Sequence, residues 1–508
     1  MKKSLWWIVL CLLLGMTLAL SGCVSGATEV DQEASDEKEE HEDNLEGENA
    51  DENDGLGGEG VEETEEEEPD TQEDIGEDNE LGFEPPYEFS YPDAVRGVYV
   101  TGHSAGGQRF EDLLALMDQT TLNAMVIDIK DDWGHLTFRP EDEEEPLYPY
   151  SKRYIKDIHD VMQTLEEHEV YPIARIVVFK DSVIAKEKPE WSYTDGSGNV
   201  WRNSRDESFI NPFLQEVWDY NLQYAKLAAE AGFKEIQFDY VRFPEGFEKR
   251  DRSLNYSMGD YHPGEITDEN GEVTEDMVQA RVQAVTDFVA YAKQELEPYG
   301  VDVSVDIFGY SATLSEAPGI GQNFSKISEH VDVISSMIYP SHWTPYFGIA
   351  KPDLEPYRLV QEYAKMENRK LYELEEPPTS RPWLQDFTAS WLGRGNYLQY
   401  GVPEVEAQIK ALNEAGIWEF LLWNANNRYT EGVNYLPLGP VPELEERESK
   451  RFEEAEQKAL EEEEQRKAEE EKRKAEEEKR KAEEEQKQQL EEEKNQQDDQ
   501  EKQETNTE

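Results

Sequence analysis

The residues of clearest chemical potential in this chain are carboxylates standing where apolar side chains are expected. The run KEIQFDYVRFP, Lys234 to Pro244, alternates like a half-buried strand, which sets Gln237, Asp239 and Val241 on one face and Ile236, Phe238 and Tyr240 on the other. Asp239 therefore points toward an interior. An unpaired buried charge is costly, so this carboxylate requires a cationic partner or a catalytic use. Arg175 and Arg242 are the candidates to keep it ionised. A second carboxylate, Asp306, lies inward with Ser304 in the run VDVSVDIFGY. Glycosidic cleavage needs such a pair: one carboxylate attacks the anomeric carbon or activates water, and one carboxylic acid protonates the leaving oxygen. Asp239 is expected to be the nucleophile or ionised partner, and Asp306 the acid. Neighbouring strands lie about 4.8 Å apart, which permits the roughly 5–5.5 Å carboxylate separation of a retaining mechanism. The alternative for Asp239 is a purely structural Asp–Arg pair closing the mouth of the fold.

Positioning these groups requires a repeating scaffold, and residues 91–440 supply one. Strand-like runs occur at Val95–Thr101, Ala124–Ile129, Pro172–Phe179, Glu235–Phe243, Val301–Phe308, Val331–Tyr339, Pro382–Phe387 and Trp418–Trp423. Helical stretches lie between them, such as Phe213–Ala231 and Pro403–Ala415, each followed by a glycine stop at Gly232 or Gly416. Alternating strands and helices imply a parallel sheet, and eight strands favour an α/β fold of the closed (β/α)8 TIM-barrel type over an open doubly wound sheet. Thr101 to Gly107, TGHSAGG, has neither Walker nor dinucleotide-binding spacing.

Barrel sites form at the C-terminal ends of the strands, so polar and aromatic residues there extend the candidate set. Asp128 and Asp386 could replace Asp306 as the acid or bind sugar hydroxyls. Tyr339 and Trp423 are either platforms for sugar rings or barrel packing, and Asn424 offers an amide to hydroxyls. Trp191 and Trp201 flank a hairpin-like loop that could form a lid, a substrate wall or a cap over the core. Asp131 and Asp132 precede Trp133-Gly134 and read as a solvated turn. With His103 and His135 they lack metal-site spacing, so neither metal nor cofactor is expected.

The ends are of a different kind. Residues 1–23 carry Lys2 and Lys3, an apolar run and Leu20-Ser-Gly-Cys23, the layout of an export signal. The last four residues resemble a bacterial lipobox, which implies lipidation at Cys23 and a lipid-anchored protein on the extracytoplasmic face of the bacterial cell membrane. Residues 24–86 include 28 Asp or Glu among 63 residues against one Lys. Such a segment cannot bury enough apolar surface to fold, and is expected to be a disordered linker. The net charge of -67 with no basic patch argues against a nucleic-acid partner. Residues 443–508 repeat KAEEEKR from Lys467 and Lys474. One alanine per heptad is too little for a zipper. Glu469/Arg473, Glu470/Lys474, Glu476/Arg480 and Glu477/Lys481 instead stand at i,i+4 spacing and predict a solvated single helix, whose protein partner, if any, is unknown.

Several separate blocks carry a family resemblance: Arg96–Gly102, Leu122–Asp132, the loop from Pro189-Glu-Trp191 to Asn211-Pro212, and Phe233–Pro244. Together they resemble the bacterial DUF4015 family of glycoside hydrolase-like domains, over Ala94 to about Pro437. The resemblance implies a TIM barrel related to α-amylase-like glycosidases, in which a strand-four aspartate is the nucleophile; that position is Asp239. The strand-five position that carries a glutamate acid in amylases holds Asp306 here. The expected function is hydrolysis of a poly- or oligosaccharide. The rival is a barrel that binds envelope glycans without cleaving them, as an adaptor or structural lipoprotein.

Overall fold

A computed structural model describes residues 83–267 and 273–505. Cys23, the export signal and all of the acidic linker before residue 83 lie outside the described residues. No helix among the described residues is long and apolar enough to cross a membrane.

Eight parallel strands form the core of the fold: β1 (Arg96–Val100), β2 (Ala124–Lys130), β3 (Tyr171–Val177), β4 (Glu235–Asp239), β5 (Asp302–Phe308), β6 (Val333–Met337), β7 (Trp383–Gln385) and β8 (Phe420–Trp423). Each pairs with the next, and β8 returns to β1 with Phe420 opposite Arg96, so the sheet closes into the expected TIM barrel. The principal helices are α1 (Arg109–Gln119), α2 (Ile158–Glu167), α3 (Gln215–Glu230), α4 (Met277–Leu296), α5 (Phe324–Ser328), α6 (Pro356–Tyr372), α7 (Val402–Glu414) and α8 (Leu444–Thr505).

Strand alternation divides the core into two parts. In β2, Met125, Ile127 and Ile129 join the large cluster under the helices, whereas Ala124 and Val126 face the lumen with Tyr99, Ile173, Trp383 and Leu421. A barrel lumen is a packed core, and here small residues make room for large ones. Gly97 shows the constraint: a Cβ there would sit 2.7 Å from the Leu421 side chain. Leu421 takes that space.

The N-terminal end of the lumen is closed by charge. Arg381, fully buried, donates from Nη1 to both Glu235 oxygens (2.8 and 2.7 Å), from Nε to Glu419 (2.9 Å) and from Nη2 to the Tyr91 hydroxyl (2.8 Å). Removing one partner of a buried pair strands the others in a low-dielectric interior. Arg381→Met is accordingly expected to cost about 3–5 kcal/mol of unfolding free energy, measurable by urea denaturation. A loss below about 1 kcal/mol, the range of surface pairs, would contradict this role.

The two flanks depart from the expected boundaries. Phe83 packs on Tyr299, with ring centroids 5.4 Å apart, and a Cβ on Gly232 would meet Tyr87 and Pro86, so the end of the acidic segment is already part of the domain. The C-terminal helix also starts as part of the domain. Arg451 is buried and donates to Asn368 of α6 (2.7 Å), Ala455 is buried, and Phe452 lies 6.4 Å from Tyr372. Gly416, the left-handed stop after α7, leaves room for Arg451, whose Cβ would be 2.9 Å from a side chain there. Farther along, the helix is solvated as expected, with ion pairs Glu463–Lys467, Glu470–Lys474 and Glu477–Lys481.

Candidate active site at the barrel mouth

Arg175 on β3 organises the C-terminal end of the lumen. Its Nη2 and Nε donate to Asp239 Oδ2 (2.6 and 3.0 Å), and its Nη1 donates to Asp128 Oδ1 (2.7 Å) and more distantly to Asp132 Oδ2 (3.4 Å). Three carboxylates share one guanidinium. Asp239 Oδ1 also accepts the N–H of Tyr240 at 2.6 Å. Tyr240 has φ +52°, a left-handed conformation that a bulky residue rarely adopts and that functional sites tend to hold.

That turn overrides the predicted alternation. β4 stops at Asp239, so Val241 joins the outer core instead of following Asp239 inward. Arg242 is displaced as well. Its guanidinium donates to the Phe243 carbonyl (3.3 Å) and Glu245 (3.2 Å) and lies 4.7 Å from the Tyr240 and Phe308 ring centres. The cation holding Asp239 is thus Arg175, and Arg242 is a packing residue.

Asp306 stands on β5 at the level that follows from the pairing of Gln237 with Ser304, beside Asp239. Its Oδ1 accepts the Trp383 indole N–H (2.7 Å), and only 2% of the residue is exposed. Burial first, and then the charge of Asp239, hold its carboxyl well above the usual carboxylate range. The two neighbouring carboxylates therefore differ sharply: one faces a guanidinium, the other a neutral indole. A like-charged pair in one site favours a single proton kept on the member without a cation.

Asp128 has both oxygens occupied, by Arg175 and by the Tyr99 hydroxyl at 2.6 Å. Burial pushes its carboxyl up to about 7, against the opposing pull of Arg175. Asp132 is not a solvated turn residue but a bridge from Arg175 to Lys180 (3.1 Å). Partial burial alone would raise its pKa, yet Lys180 and Arg175 together bring it well below the usual range. Lys180 also binds Glu207 at 2.7 Å. Asp131 does form the expected turn, with Oδ1 accepting the N–H groups of Trp133, Gly134 and His135.

The remaining candidates separate. Trp423 stacks on Tyr99 at 4.0 Å with a 16° tilt, meets Trp383 edge-on at 5.6 Å and lies 6.4 Å from Tyr339. Both Tyr339 and Trp423 therefore line the lumen beside the carboxylates. Asp386 does not join them: both its oxygens are held by Thr430, from the backbone N–H (2.9 Å) and the hydroxyl (2.5 Å). Asn424 spends its amide N–H groups on the carbonyls of Asp386 (2.6 Å) and Arg428 (2.8 Å). The described hydrogen bonds of these two residues shape the loop after β8 and include none to Asp239, Asp306 or Arg175. Trp191 packs on Tyr220 of α3 at 5.8 Å, beneath Lys188, and Trp201 lies 5.8 Å from Arg250. Both belong to a long excursion after β3, packed on the outer core, and neither has a described contact with the carboxylates.

Three neighbours of the carboxylate cluster escaped the residue pattern: Tyr99, Trp383 and Glu207. Tyr99 was accessible in principle, being inward two positions after Gly97. Glu207 carried no such signal, since only the return of a long loop brings it to Lys180. The Tyr99 carbonyl is itself fixed by the Asn427 amide (2.9 Å) and the Tyr429 hydroxyl (2.5 Å), tying β8 to β1 under the Asp128 contact.

Arg175 makes one prediction. Arg175→Met would leave Asp239 and Asp128 buried without their cation, at an expected cost of about 3–5 kcal/mol at neutral pH. Protonation of Asp128, whose carboxyl burial already pushes up to about 7, relieves part of that deficit, so the gap to wild type is expected to narrow as pH falls. Urea melts at neutral and mildly acidic pH measure it, and an equal deficit at both would contradict the assignment.

Comparison with known proteins gives the following. The family profile described as "Putative glycosyl hydrolase domain", DUF4015, matches residues 97–429. No curated protein matches the chain. Among solved structures, a hypothetical protein from Ruminiclostridium thermocellum is 29% identical over 41% of this chain and 96% of its own, with TM-score 0.34. The glycoside hydrolase domain of PgaB (BpsB) from Bordetella bronchiseptica is 14% identical over 66% of this chain and 95% of its own, with TM-score 0.45. An α-galactosidase from Thermus thermophilus is 13% identical over 73% of this chain and 63% of its own, with TM-score 0.38.

Proposed function

This chain belongs to the DUF4015 family of glycosyl hydrolase-like domains, and from that premise we propose that it hydrolyses a poly- or oligosaccharide with Asp239 and Asp306. The observation that carries the reading is the contrast between these carboxylates on adjacent strands: Asp239 against Arg175, and Asp306 against the Trp383 indole, its carboxyl held well above the usual range by burial. Opposed environments of this kind assign a base and an acid. The Asp306 O–H gives its proton to the glycosidic oxygen as the bond to the anomeric carbon breaks. Asp239 meets the developing positive charge on that carbon and forms the ester that water then hydrolyses. Water enters with Asp306, now ionised, taking its proton. Neighbouring strands about 4.8 Å apart suit the retaining geometry.

The lipobox-like sequence ending at Cys23 supports a lipid anchor outside the cytoplasmic membrane, and the substrate proposed for this activity is an envelope carbohydrate. The experiment is turnover of a panel of envelope glycans and chromogenic glycosides by wild type and Asp239→Asn. Turnover by wild type and its loss in the variant are expected. Glycan binding by both forms with turnover by neither would favour the adaptor reading.

A further inference from the structure

Resting on the glycosidase reading above, we infer that the β6 and β7 side of the mouth holds a remote sugar subsite, so that the substrate is read over several linked units rather than at a single terminal one. Aromatic rings lead outward from the carboxylates in steps. Trp423 lies 6.4 Å from Tyr339, Tyr339 lies 6.1 Å from Phe387, and Phe387 stacks on Trp391 at 5.8 Å with a 23° tilt. His342 borders the same strip, 5.3 Å from Tyr339 and 6.3 Å from both Phe387 and Trp391. Phe387, His342 and Trp391 are each partly exposed, so the strip reaches the surface. Where it ends, a cavity of about 280 Å³ opens, walled by Trp343, Leu392, Asp353 and Asn396. That volume is close to the lower end of small-molecule sites.

A second observation points to a ligand. The Trp391 indole Nε1 is buried without a hydrogen-bond partner, and native structures leave few buried donors unpaired. Turning of the partly exposed ring on binding would bring this donor to a sugar hydroxyl, while the ring faces take the apolar face of a pyranose. The strip is also electrically neutral. Burial brings the His342 imidazole down to about 4, so near neutral pH it meets hydroxyls as an uncharged partner. The cavity beyond the strip is lined by Lys351 as well as Asp353, with the Lys351 ammonium on the Gly395 carbonyl at 2.8 Å, and the uncharged rings of the strip fit a neutral oligosaccharide.

The test uses the full-length Asp239→Asn protein and three series of oligosaccharides, cello-, chito- and malto-, from monomer to hexamer, followed by titration calorimetry. Affinity in at least one series is expected to rise with length. Adding Trp391→Ala is expected to weaken the hexamer about threefold to tenfold, the range of one aromatic contact, and to leave the monomer unchanged. Trp391→Phe, which keeps a stacking ring, is expected to recover most of the loss and guards against misfolding as its cause. Affinity independent of length in all three series, or a Trp391→Ala hexamer affinity equal to its parent's, would overturn the subsite. Length-dependent, Trp391-sensitive binding combined with no cleavage of any oligomer by wild type would keep the subsite and remove the hydrolase reading.

Discussion

Asp239→Asn is expected to reduce kcat by roughly 10⁴-fold or more, the scale seen when a nucleophile is removed from a group of residues acting together. The substitution keeps the shape of the side chain, and its single amide oxygen can accept from Arg175 or from the Tyr240 N–H, which hold different oxygens of Asp239, but not from both. What disappears is the negative charge that meets the anomeric carbon. The fold should survive, because Arg175 retains Asp128 and Asp132 as counter-charges at 2.7 and 3.4 Å. Steady-state kinetics alongside thermal melts decide the matter. A variant with normal melting and near-normal turnover would leave Asp239 as a structural partner of Arg175.

The second large effect is a loss of activity joined to a gain in stability. Asp306 in the unfolded chain ionises near the ordinary aspartate value of about 3.9. In the folded protein, burial and the neighbouring charge of Asp239 hold its carboxyl well above that. Between the two values the folded protein keeps a proton that the unfolded chain has released, so stability falls as pH rises through this window, by up to about 1.4 kcal/mol per pH unit. Asparagine does not titrate, and its amide oxygen can still accept the Trp383 N–H. Asp306→Asn is therefore expected to be at least about 1 kcal/mol more stable than wild type at neutral pH, with the gap closing near pH 4. Its turnover should fall roughly 10²- to 10⁴-fold, the usual contribution of a general acid. Denaturant melts across that pH range measure the first effect. Destabilisation at neutral pH would mean that Asp306 is held for the structure rather than for chemistry.

How far such residues can be read from the chain depends on whether their placement is periodic. The eight strands were legible because alternation and glycine stops are local, and Asp239, Asp306, Asp128 and Arg175 follow from alternation inside them. Alternation failed at one residue. The left-handed turn at Tyr240 has no composition signal, and it sends Arg242 to the Phe308 ring instead of the mouth. Asp386 and Asn424 do stand at strand ends as predicted, but a strand end fixes position and not partner: Thr430 and the loop after β8 absorb both. Trp191 and Trp201 sit in an excursion after β3 whose return path no local pattern encodes. The same holds for Glu207. At the C-terminus, Arg451 and Phe452 dock on α6 within a background so charged that their two contacts vanish in it. Tertiary partners, rather than residue types, separate the residues at the site from those near it.

The most direct test of the acid and nucleophile assignments is the dependence of kcat/KM on leaving-group acidity, measured on a series of aryl glycosides for wild type, Asp239→Asn, Asp306→Asn and Asp128→Asn. A leaving group that departs readily as an anion needs no proton, so loss of the acid harms only the poor leaving groups. The predicted result is a steep dependence confined to Asp306→Asn, with Asp239→Asn impaired on every member of the series. The same steep dependence in Asp128→Asn, with Asp306→Asn showing uniform losses, would contradict the assignment and move the acid to the carboxylate beside Tyr99.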